Sequence, residues 1–144
     1  MTADERKTLM AKAFEARYGH LPSLWTRAPG RVDLMGSHTD YNHGFILTMT
    51  IDRDTWIAAR PREDRTVRVA SLDMGGESAF SLDDIEYDPD QRWANYVRGM
   101  ARVMQEAGYT LTGVDALIHT TVPVSAGLSS SAAPGSTASV QSTM

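Results

Sequence analysis

The stretch Ala28-Pro-Gly-Arg-Val-Asp-Leu-Met-Gly-Ser-His-Thr-Asp-Tyr-Asn-His-Gly44 constrains this chain most, because it changes character halfway along. Val32, Leu34 and Gly36 alternate with Arg31, Asp33 and Met35, and that period of two predicts a strand. From Ser37 onward the apolar period stops, and histidine, aspartate, tyrosine and asparagine crowd ahead of Gly44. A strand that empties into such a turn delivers polar groups to its own end, where α/β and α+β enzymes gather ligands. Read alone, the same stretch is equally a polar hairpin loop after a core strand.

At 144 residues the chain has room for one core, so a single domain is expected. A net charge of −4 without a basic cluster argues against a nucleic-acid partner. The absence of cysteine excludes disulfides and thiolate metal sites. No segment has the apolar length of a signal peptide or a membrane span, so a cytoplasmic protein with no membrane partner is expected.

Thr2-Ala-Asp-Glu5 fits a capping box, and Leu9, Met10, Ala13, Phe14 and Tyr18 follow at helical spacing before Gly19 and Pro22. After the opening strand, Phe45–Ile51, Thr55–Arg60, Thr66–Ser71 and Glu77–Leu82 read as successive strands with short connections, hence mainly antiparallel pairing. Trp93–Ala107 reads as an amphipathic helix with Trp93, Tyr96, Val97, Met100, Val103, Met104 and Ala107 on one face and Gly108 closing it. Val114–Val122 is the last strand. The order predicts an α+β, two-layer domain in which a mainly antiparallel mixed sheet packs on helices.

Pro123-Val-Ser-Ala-Gly-Leu-Ser-Ser-Ser-Ala-Ala133 follows that strand directly. Glycine lets backbone approach an oxygen closely, a helix's first free N–H groups favour an anion, and the serines add donors or a Mg²⁺ ligand. No Lys-Ser/Thr pair follows the glycine, so this is not the Walker pattern. Read alone, it is more commonly a serine N-cap ahead of a small-residue helix.

Together the two motifs point to a family. Gly30–Gly44 resembles the sugar-recognition signature of galactokinases. Val122–Ala133 resembles the ATP-binding motif shared by galactokinase, homoserine kinase, mevalonate kinase and phosphomevalonate kinase. Phe14, Tyr18-Gly19, Pro22, Ala28-Pro29 and Arg92–Gly99 fit the same family. The resemblance implies the N-terminal domain of that superfamily's kinase fold, ATP and Mg²⁺ as cofactors, and a monosaccharide phosphorylated at its C1 hydroxyl, galactose first. It places Arg31 beside the transferred phosphoryl group as the catalytic cation. Ser37, His38, Asp40 and Tyr41 would form the sugar pocket, with Asp40 accepting from two ring hydroxyls. Gly127, Ser129, Ser130 and Ser131 would wrap the phosphates, with Ser131 on Mg²⁺. Trp93 and Tyr96 would lie towards the adenine, although aromatics at helical spacing serve equally as core.

The sequence departs from the family at four places. Asp33 stands for the usual asparagine, Met35 for isoleucine and Ser37 for glutamate. The last removes a charged acceptor for the sugar's C6 hydroxyl worth about 1.5–3 kcal/mol, which leaves another aldose or a uronic acid as alternative substrates. Relatives are also far longer, and their second half supplies the catalytic aspartate, so the expected partner is a missing C-terminal kinase half. Pro134-Gly135 falls where the family continues a helix, at a cost of about 3 kcal/mol or more, so residues 134–144 are expected to be a non-native tail and the chain alone inactive. A catalytically silent sugar- and ATP-binding regulatory module is the alternative from another class.

Overall fold

The computed structural model describes residues 1–35, 43–45 and 47–123, without the side chain of Asp33. Helix α1 (Ala3–Tyr18) opens on the expected capping box: the Glu5 N–H donates to Thr2 Oγ1 at 3.2 Å, and the Thr2 N–H donates to the Glu5 carboxylate at 2.8 Å. Gly19 closes it at φ 80°, a backbone region open to glycine at little cost. The strands are β1 (Leu24–Met35), β2 (Leu47–Pro61), β3 (Thr66–Ser71), β4 (Glu77–Ser81) and β5 (Val114–Thr120). A 3₁₀ turn at Arg92–Ala94 leads into α2 (Asn95–Glu106). Among the described residues no helix is long and apolar enough to cross a membrane.

The five strands form one sheet in the order β1-β2-β5-β3-β4. β5 inserts between β2 and β3, antiparallel to the first and parallel to the second; the other pairs are antiparallel. The α+β class and the mixed, mainly antiparallel sheet agree with the sequence reading. The layering differs. Side chains alternate across the sheet: Ala58, Ala70 and Leu117 meet Met10, Phe14 and Tyr18 of α1, whereas Ile57, Val67, Val69, Ala116 and Ile118 meet Ala101 and Met104 of α2. The helices therefore cover opposite faces, and the expected two layers become a sheet with a helix on each side. Alanine at positions 58 and 70 lets α1 settle close to its face, where Met10 and Phe14 are fully buried.

Two further expectations are corrected. The runs expected as two strands at residues 45–51 and 55–60 are continuous: residues 47–61 form one 15-residue strand, with no break at Asp52-Arg53-Asp54. Its inner half lies between β1 and β5, while its outer half pairs with residues 31–35 of β1 alone. That two-stranded arm reaches past the helices, so Leu34, Met35, Leu47 and Met49 stay exposed and Val32 is only half-buried. On α2 the inward stripe runs through Val97, Met100, Ala101 and Met104; Tyr96, Val103 and Ala107, expected on that face, are exposed. Tyr96 and Val103 lie a quarter-turn to one side of the true stripe.

Candidate functional site

The two motifs of the sequence reading begin at Gly30 and Val122, and these residues touch. A β-carbon built on Gly30 would lie 2.9 Å from Val122 Cγ2, 3.3 Å from the Arg53 carbonyl and 3.3 Å from Ile51 Cδ1. Only glycine leaves room for β1 to pass this point without moving its neighbours. Arg31 follows immediately, exposed, in register with Thr50 of β2. Ser37, His38, Asp40 and Tyr41 lie outside the described residues, as do Gly127, Ser129, Ser130, Ser131 and the 134–144 tail. His43, at φ 61°, and Gly44 are described again on the return toward β2, both exposed.

The end of β5 is held tightly as it approaches this junction. The Thr121 N–H donates to the Asp54 carbonyl at 2.9 Å, and the Asp54 N–H donates to Thr121 Oγ1 at 3.0 Å. The Thr120 N–H donates to Asp73 Oδ2 at 2.7 Å, and its hydroxyl lies 2.9 Å from that of Thr55. Val122 is buried, with its N–H donating to Thr120 Oγ1 at 3.1 Å.

Beneath these strand ends, on the α1 side, lies a polar cluster that sequence reasoning missed. Asp54 is buried, and its carboxylate accepts from Arg6 Nη1, from Arg27 Nε, and from Trp56 Nε1 at 3.2 Å. Burial by itself would raise the Asp54 carboxyl pKa; the hydrogen bonds from Arg6, Trp56 and Arg27 outweigh it and hold the group below its usual range. Arg6, itself buried, turns its other donors on β5: Nε to His119 Nδ1 at 2.7 Å and Nη2 to the His119 carbonyl at 2.8 Å. With Nδ1 accepting, His119 carries its proton on Nε2, which lies 3.5 Å from Asp73 Oδ1. Burial lowers the His119 pKa and the Arg6 charge adds to this, against the raising effects of Asp73 and Asp54. The signal available in sequence was an arginine on a helix otherwise turned inward by Met10 and Phe14, four and eight residues on.

The two aromatics are placed differently from one another. Trp93 is half-buried against the α2-side core and donates its indole N–H to Gln91 Oε1 at 2.9 Å. Tyr96 is 56% exposed on the outer side of α2. Arg98, rather than either aromatic, supplies the buried polar contacts of this helix: it donates to Ser78 Oγ, the Ala79 carbonyl and the Glu86 carbonyl, and stacks 4.7 Å from the Phe80 ring centroid. Among the described residues no cluster of carboxylates and histidines could hold a metal ion. An apolar cavity of roughly 450 Å³ between α2 and the sheet, lined by Leu24, Pro61, Phe80, Met100 and Leu111, opens at the opposite end of β1 from Arg31.

Comparison with known proteins adds three findings. Residues 12–61 match the galactokinase galactose-binding signature, and residues 95–140 match the N-terminal domain of GHMP kinases. The chain is 51% identical over 124 residues to a galactokinase of Roseiflexus sp., covering 86% of this chain and 32% of that protein. It is 50% identical over 129 residues to a galactokinase of Chloroflexus aggregans, covering 90% of this chain and 33% of the relative. The chain thus spans about a third of the length of the curated relatives it matches. Among solved structures, Lactococcus lactis galactokinase complexed with galactose matches with a TM-score of 0.82 at 34% identity, over 93% of this chain and 36% of that one. A mevalonate kinase shares the fold, with a TM-score of 0.63 at 20% identity over 81% of this chain and 38% of that one.

Proposed function

From a chain that is galactokinase-like and carries the N-terminal domain of the GHMP kinases, we propose a role in phosphoryl transfer from ATP to the C1 hydroxyl of galactose. The observation that carries this is the Gly30–Val122 contact, which sets the start of the sugar motif against the start of the phosphate motif. Phosphoryl transfer asks little covalent chemistry of a protein; it asks that acceptor, phosphate and cations be held in line. A contact between the middle of β1 and the residue two positions past the end of β5 suits that demand.

In this reading Arg31, one residue beyond the junction, presents its guanidinium to the charge that develops on the transferred phosphoryl group. Asp40 accepts from two ring hydroxyls, with Ser37, His38 and Tyr41 completing the pocket. Gly127, Ser129 and Ser130 would donate to the phosphates, and Ser131 would hold Mg²⁺. Magnesium, when bound, neutralises charge on the β- and γ-phosphate oxygens. The half-buried Trp93 fits a place at the edge of an adenine site; the exposure of Tyr96 gives it, in this chain, an open side on which to meet one. The chain spans about a third of the relatives' length, and this reading assigns none of its residues as the base for the C1 hydroxyl. A soluble, cytoplasmic setting fits both substrates.

Calorimetric titration of the chain with galactose, glucose and galacturonate tests the reading. Saturable galactose binding, lost in Asp40→Ala, is expected. Tighter binding of galacturonate would move the substrate class toward acids, as the missing carboxylate at Ser37 allows. Binding that survives Asp40→Ala would overturn the assignment of the sugar pocket.

A further inference from the structure

The cluster under the junction has no part in the reading above, yet it touches every element that meets there. Arg6 comes from α1, Arg27 from β1, Asp54 from β2 and His119 from β5. Asp54 bonds both arginines directly and reaches His119 through Arg6. Its main chain is bonded to Thr121 in both directions, and its carboxylate orients two arginines that reach opposite ways. Arg6 carries the connection to the His119 carbonyl and ring at the end of β5. Arg27 carries it into β1, three residues before Gly30.

We propose that Asp54 is a positioning residue: through Arg6 and Arg27 it fixes the end of β5 against β1, so that Val122 seats on Gly30 and the chain enters the phosphate motif at a set height beside Arg31. The proposal rests on the kinase reading only for what the two motifs bind. The physical case is that a charged bidentate acceptor between two arginines is directional and short-ranged, unlike the apolar contacts elsewhere under α1, which tolerate sliding. A strand end held only by Thr121 and Val122 contacts could shift by a fraction of an ångström. The same strand end tied through Arg6 to a fixed carboxylate could not without breaking charged hydrogen bonds. Displacements of that size at a phosphate-binding turn are costly to reactions that depend on alignment.

The test is amide hydrogen exchange, followed by NMR, on the wild-type chain, on Asp54→Asn and on the milder Arg27→Gln, whose side chain is 63% exposed. A clamp predicts exchange at least tenfold faster at His119, Thr120, Thr121, Val122, Gly30 and Arg31 in Asp54→Asn, with the β3 and β4 amides unchanged. Arg27→Gln is expected to show the same pattern at smaller amplitude. Uniform acceleration through the sheet in both variants would mean that Asp54 serves global stability alone and would overturn the proposal, as would no change at the junction. Mg·ATP titration of the same samples adds the functional arm: where the wild-type binds, Asp54→Asn is expected to weaken binding at least tenfold. Absence of Mg·ATP binding by the wild-type chain would count against the kinase reading of the phosphate motif, and the exchange pattern would still decide the clamp.

Discussion

Asp54 and Asp115 are both buried carboxylates under α1, one toward each end of the helix, and they are not equivalent. Asp115 accepts from Arg62 at 3.0 Å and from Arg68 at 2.6 and 2.8 Å, with His20 Nε2 at 3.4 Å. Burial would raise its carboxyl pKa, and the bonds from Arg68 and Arg62 outweigh that. The side chains of Arg62 and Arg68 are 25% and 33% exposed, so both cations keep a path to water. Arg6, the main partner of Asp54, is only 9% exposed. Asp115 closes the end of the sheet remote from both motifs, whereas Asp54 sits where they meet. Similar buried ion pairs thus serve a rim in one place and a junction in the other, and the difference lies in what their partners touch next.

The largest effect expected is that of removing the carboxylates. Asp54→Ala leaves Arg6 buried and unpaired, a loss of about 3–5 kcal/mol. Asp115→Ala lets its arginines turn to solvent and costs about 1–3 kcal/mol. Urea unfolding of the two variants measures both, and a larger loss at Asp115 would break the comparison. Glycines sharpen it next. Gly30→Ala forces a methyl group against Val122 and costs about 1–3 kcal/mol, whereas Gly99→Ala in α2, with open space around it, gains about 0.5–1 kcal/mol.

Acid titration gives a smaller, graded signal. The folded chain favours neutral His119, so its imidazole pKa lies below the ordinary 6.5. Below about pH 6.5 the unfolded chain therefore binds the proton more readily, and stability falls as pH drops through the window down to the folded value. Asp54, Asp115 and Asp88, all lowered, and Asp64, lowered to about 2, hold their contribution above the ordinary carboxylate value of 3.8 and lose it as pH falls below that. Thermal unfolding between pH 7 and 2.5 should show both steps, and His119→Gln should remove only the upper one. The smallest effect belongs to the exposed Arg102–Glu106 pair of α2, where Arg102→Ala is expected to cost no more than about 0.5 kcal/mol beyond helix propensity.

What was legible in the sequence follows the range of the forces involved. The capping box of α1, the glycine stop at Gly19 and the β3 strand depend on neighbours within a few residues, and their bounds were read closely. Asp52-Arg53-Asp54 falls between two runs that read as separate strands, and so reads as a short connection. Asp54 is instead buried by arginines 48 and 27 residues away, contacts that no local pattern announces. The helix faces were half legible: periodicity found α2, but the packing partner decides which edge of an apolar stripe turns inward, and Tyr96 fell outside it. The contact between Gly30 and Val122, at the starts of the two motifs, is likewise one that no local pattern announces.

The most direct test of the account is a paired calorimetric titration of wild-type chain and Gly30→Ala with galactose and with Mg·ATP, circular dichroism confirming that both are folded. If the two motifs share one junction, the substitution weakens both affinities together, each by tenfold or more. Loss of one affinity with the other intact, or two wild-type affinities in Gly30→Ala, would contradict a common site built where Gly30 meets Val122.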